Sequence, residues 1–179
     1  EQVNNLTTAA VQALSTTTVS VLGTDQIQAL STNSLGVLKT AQVQALSTDQ
    51  VVALTTGQVA NLSTGTIAAL SSKQVGAIET DDIQALSSKQ LGSLATSTIA
   101  ALSTDQIVAL TTSQVNTLST STIKGLSSTQ VAAIETDDIR ALSSSQLNSL
   151  ATATVAALST DQVQALRTNQ LNSLNTAGI

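Results

Sequence analysis

The chain has no aromatic residue, cysteine, methionine, proline or histidine. Each absence closes off a chemistry. Without Cys or His there is no thiol nucleophile and no zinc or haem ligation of the usual kinds. Without His no side chain titrates near neutral pH at its ordinary value. Catalysis would fall to Ser, Thr, Asp, Glu or Lys, and no Lys recurs at a fixed distance from a distinctive Ser. No catalytic residue and no cofactor are therefore assigned, and the chain is not expected to be an enzyme. Charge is sparse as well, with 6 basic and 11 acidic residues among 179 and a formal net charge of −5. The basic residues Lys39, Lys73, Lys89, Lys124, Arg140 and Arg167 stand singly. Phosphate recognition needs a basic patch and base stacking needs aromatic rings, so nucleic acid is not an expected partner. No apolar run reaches the roughly 18 residues that span a bilayer, and no membrane span is expected. The sequence opens on Glu1 with neither a charged n-region nor an apolar h-region, which suggests a processed chain, an excised fragment or a sequence read without its beginning.

What is present is a repeat. From Val3 an aliphatic residue returns every eighth position (Val11, Val19, Ile27, Leu35 and onward to Ile179), and a second series, Leu6, Leu14, Leu22 to Leu174, follows three residues later. The second series is Leu except at Ile78 and Ile134. A third series, Thr8, Thr16, Thr24 to Thr176, is Thr or Ser throughout. At eight residues per unit the 179 residues make a single domain, 1–179, of about 22 octads.

The spacing selects a structure. On one continuous helix eight residues advance about 800°, so the apolar pair would drift by about 80° per repeat and form no stripe. In a continuous strand the gaps of three and five are both odd, so successive apolar residues would face opposite sides. One short helix per octad places both aliphatics on its inner face at i and i+3. The expected fold is an all-α solenoid, a tight superhelix of helices one or two turns long, with a β-solenoid as the alternative. Helices this short are unstable alone and must stack on their neighbours. The predicted core includes Val51, Leu54, Val59, Leu62, Ile107 and Leu110.

The polar positions fit helix starts. Ser47 and Gln50 make an S-x-x-Q capping box with Asp49 in the first turn, and Thr55 with Gln58, Ser71 with Gln74 and Ser103 with Gln106 repeat it. In other copies the box position is Gly23, Glu79, Ala95, Glu135, Ala151 or Arg167, whereas the next residue is always Thr or Ser. The constant hydroxyl is accordingly taken as the N-cap, making Thr48, Thr56, Thr104 and Thr112 structural caps.

A longer period overlies the octad. ETDDIQALSSKQLGSLATSTIAALSTDQ begins at Glu79 and ETDDIRALSSSQLNSLATATVAALSTDQ at Glu135, seven octads or 56 residues later, and a fainter copy begins at Gly23. The chain reads as about three such blocks, approximately 15–70, 71–126 and 127–179. They reflect either duplication or a whole number of superhelical turns per seven octads.

The clusters Glu79, Asp81, Asp82 and Glu135, Asp137, Asp138 concentrate like charge, and calcium is the metal to weigh against them because it takes carboxylate oxygens. No Gly-rich loop or bidentate Glu at EF-hand spacing accompanies them, and acids in a first helical turn are explained by the helix dipole. No metal is assigned.

STDQIQAL, STDQVVAL and STDQIVAL, iterated without interruption, resemble the short Thr/Gln/Ala/Leu-rich octapeptide tracts of very large bacterial secreted and cell-surface, adhesin-like proteins. The likeness covers essentially the whole chain and implies an extracellular or cell-surface structural module. The expected function is a non-enzymatic filament subunit or stalk that associates or continues head-to-tail, because the aliphatic series runs in register to both ends. The alternatives are a carbohydrate- or ice-binding module using regular Thr/Ser rows, and a protein-binding scaffold inside the cell.

Overall fold

The computed structural model describes residues 6–174. Every octad among them forms one α-helix of four to six residues, and no strand forms among the described residues. The chain divides into two units, Glu1–Leu94 and Ala95–Ile179. In unit 1 the helices are α1 (Thr8–Ala13), α2 (Thr16–Ser20), α3 (Thr24–Ala29), α4 (Thr32–Gly36), α5 (Thr40–Gln44), α6 (Thr48–Val52), α7 (Thr56–Ala60), α8 (Thr64–Ala68), α9 (Ser72–Gly76), α10 (Thr80–Ala85) and α11 (Ser88–Leu91). In unit 2 they are α12 (Thr96–Ile99), α13 (Thr104–Val108), α14 (Thr112–Thr117), α15 (Thr120–Gly125), α16 (Ser128–Ala133), α17 (Thr136–Ala141), α18 (Ser144–Asn148), α19 (Thr152–Val155), α20 (Thr160–Ala165) and α21 (Thr168–Ser173).

In most octads a side chain caps the helix start, and the octad's own backbone ends the helix. An extended residue such as Ser47 (φ −73°, ψ 163°) precedes the first turn and accepts a bond from the N–H three residues on. At the other end the Leu of the second series donates its N–H to the carbonyl three residues back, as Leu54 does to Val51 at 3.1 Å. Its backbone then turns extended, for example at Leu86 (φ −64°, ψ 131°). No described residue has a positive φ, so these helices end without the left-handed cap that is common elsewhere.

Within each unit a helix packs on its third neighbour along the chain: α1 on α4 and α4 on α7 in unit 1, α14 on α17 and α17 on α20 in unit 2. Where α12 meets α15 the backbones come close, since a Cβ added at Gly125 would lie 2.5 Å from the Thr96 methyl. The first aliphatic series lies at the centre, no more than 1% exposed at every copy from Val11 to Leu147. Val51, Val59 and Ile107 belong to it, and Leu54, Leu62 and Leu110 of the second series are 5–7% exposed. Thr, Gln, Ser and the charged residues of the helix starts surround this core. No helix among the described residues is long and apolar enough to cross a membrane.

Candidate functional site: a glutamine ladder and two aspartates

The third residue of each helix does more than cap. Gln50 Oε1 accepts from the Ser47 N–H at 2.8 Å, closing the capping box, while its Nε2 reaches back to the Val19 carbonyl at 2.9 Å and the Leu22 carbonyl at 2.7 Å. Gln42 does the same to Val11 and Leu14, Gln58 to Ile27 and Leu30, and Gln74 to Val43 and Leu46. In unit 2 Gln130 reaches Ile99 and Leu102, Gln162 reaches Val131 and Ile134, and Gln170 reaches Ile139 and Leu142. The acceptors lie 31 and 28 residues upstream in every case. They are the carbonyls of the two aliphatic series four helices earlier. Each helix therefore sits over the gap between its third and fourth predecessors, and one turn of the coil takes between three and four octads. These glutamines are buried, 1–4% exposed, and a buried amide is tolerated because both of its ends are bonded. The capping box was legible in the sequence. The long reach of the same side chain was not, although a Gln recurring in step with the apolar series was a signal for it.

The N-cap lies one residue earlier than the constant hydroxyl. Ser47, Thr55, Ser103 and Thr111 are the N-caps of α6, α7, α13 and α14, so Thr48, Thr56, Thr104 and Thr112 occupy the first helical position and are exposed. The expectation that these four are the caps is corrected on that ground. A side chain on helical backbone projects sideways from the helix, off the line along which the free N–H groups of the first turn point. The extended residue before it swings its oxygen across them, and Gln50 N–H donates to Ser47 Oγ at 3.1 Å. Where the box position is Glu79, Ala95, Glu135 or Ala151, no side chain caps the helix.

Two positions of the ladder are acidic. Asp82 and Asp138 stand at the third residue of α10 and α17, 2% and 3% exposed. Thr112 Oγ1 donates to Asp138 Oδ1 at 2.6 Å, and the Thr56 hydroxyl bonds Asp82 in the same way. Burial pushes both carboxyls above their ordinary value; the threonine bond opposes this, and Glu79 with Asp81, or Glu135 with Asp137, adds to it. Asp81 and Asp137 are exposed. Among the described residues no three carboxylates gather to hold a metal ion. A shallow groove in unit 1, lined by Thr8, Thr32, Asn33, Gly36, Asn61 and Ser63, carries no charged group.

Short stacked helices, one sequence unit per helix and a side-chain ladder from turn to turn define a helical solenoid repeat protein. The ALTTAQ repeat family matches residues 1–32, 33–64, 60–88, 75–112, 84–120, 109–143 and 131–168. The chain belongs to that family. No curated protein matches it.

Proposed function

We propose that the chain is a non-enzymatic structural element outside a bacterial cell, a filament subunit or a stalk segment, in which coil turns continue head-to-tail. What supports this reading is a set of groups left uncovered in each unit. Val163 and Leu171 are 42% and 41% exposed, although the same octad position is sealed to 1% or less from Val11 to Leu147. In unit 1 Gln26 is exposed, and its Nε2 has no acceptor among the described residues, while its Oε1 accepts from Gly23 N–H at 2.8 Å. Unit 2 offers exposed aliphatic side chains, and unit 1 an amide donor. A contact between unlike surfaces of identical objects does not close on itself and extends as a fibre. The extracellular setting rests on the likeness to adhesin-like octapeptide tracts.

Light scattering over a wide concentration range, with electron microscopy, tests the reading. Mass should rise above the 18.1 kDa of one chain, with linear particles, and Val163→Asp should return the protein to single chains. A monomer at every concentration would end the filament reading. Antibody labelling of intact cells tests the location: signal only after permeabilisation would contradict it.

A further inference from the structure

The ladder position is Gln in most octads and Ser or Thr in several, all of them neutral, and it becomes ionisable at Asp82 and Asp138 alone among the described residues. In a glutamine octad that position supplies an amide proton to the carbonyls 31 and 28 residues upstream. For Asp138 those carbonyls belong to Ile107 and Leu110, and for Asp82 to Val51 and Leu54. A carboxylate at this register position has no proton to give to those carbonyls, whereas the neutral acid carries an O–H donor. The hydroxyls of Thr112 and Thr56, from the helices packed beneath, already occupy one carboxyl oxygen of each.

We propose that Asp82 and Asp138 are proton-operated joints of the coil, each binding its octad to the preceding turn more firmly when protonated. The surrounding charges favour the neutral form. At α17 and its N-cap Glu135, Asp137 and Arg140 are exposed, α14 brings no ionisable group and α20 brings Asp161. Around Asp82 stand Glu79 and Asp81, while α7 brings no ionisable group. Burial raises both carboxyls first, and the neighbouring acids raise them further. A folded-state value above the ordinary 3.8 means that the folded chain holds the proton more tightly than the unfolded one. The stability so gained is fully present below 3.8 and is lost as pH rises through the raised value. A chain without histidine thereby acquires a response to acid, with the coil tightening on acidification.

Thermal unfolding of the full chain from pH 7.5 down to below pH 3.8 is the test, beside the double variant Asp82→Asn, Asp138→Asn and a control with Asp49→Asn, Asp161→Asn. The natural chain should gain melting temperature as pH falls. The ladder double variant should start higher at pH 7.5 and lose most of that slope, and the control should keep it. Carboxyl carbon NMR of the natural chain reads the same joints without mutation, with midpoints for Asp82 and Asp138 above 3.8, and decides the matter if the Asn variant does not fold. A natural chain whose stability is flat or falls with acid, a slope that survives in the ladder variant, a slope removed by the control, or midpoints at or below 3.8 would each overturn the proposal.

Discussion

Ser47 and Thr48 are adjacent hydroxyl residues with different work. Ser47 lies on extended backbone and receives the Gln50 N–H, so it satisfies a donor the helix cannot satisfy itself. Thr48 lies on helical backbone and is exposed. Its constancy along the chain follows the helix start without closing it, and at Thr56 and Thr112 the same hydroxyl turns outward to a later helix and holds an aspartate. Ser47→Ala is expected to cost about 0.5–2 kcal/mol, and Thr48→Ala no more than about 0.5 kcal/mol, as for an exposed site away from special features. Urea denaturation of the two variants measures both. Equal losses would return the capping role to the constant threonine.

At the scale of the element, four to six residues are far below the roughly 12 needed for a helix that is even marginal alone. What holds α7 in place is its packing on α4 and α10 and the triple bond of Gln58 Nε2 to the Ile27, Gln28 and Leu30 carbonyls. Gln58→Ala leaves these acceptors without their amide and the Thr55 N–H without Oε1, and is expected to cost about 1–3 kcal/mol. Gln58→Glu preserves the shape and the cap to Thr55 but loses both amide protons, so at neutral pH it should be destabilised as well. Hydrogen exchange would locate the effect in the octads around Gln58 and the upstream turn. A loss confined to α7 would mean that the ladder binds no turns together.

At the scale of the whole molecule, the stability of each unit is a sum over octads and their neighbours in the turns before and after. The glutamine octads of both units share one rule, an amide reaching four helices back, as at Gln50 and Gln130, so the array should tolerate the loss of a whole octad. Deleting residues 48–55 removes one complete octad and is expected to leave a folded, helical chain with a slightly lower melting temperature. Deleting residues 48–51 displaces the aliphatic series by half a unit and should abolish cooperative melting. Circular dichroism with thermal melting separates the two, and equal damage would refute the octad as the unit of folding. The bond interval of 28 residues is three and a half octads, half of the 56 that separate Glu79 from Glu135.

The sequence by itself determined the octad, the helix in each octad and the two inner aliphatic positions, because all three follow from spacing within eight residues and from steric rules that act locally. It determined the pairing of Ser47 with Gln50 for the same reason, as the partners are three residues apart. Cap and first helical residue were read one place apart from their true positions, since two hydroxyls in succession are distinguished only by which backbone turns extended. The reach of the glutamine amides, the number of octads in a turn and the burial of Asp82 and Asp138 were decided by tertiary structure alone. Those features join residues about 30 apart, and their distances are set by how closely successive turns can pack over an aliphatic core, a quantity that no single octad contains.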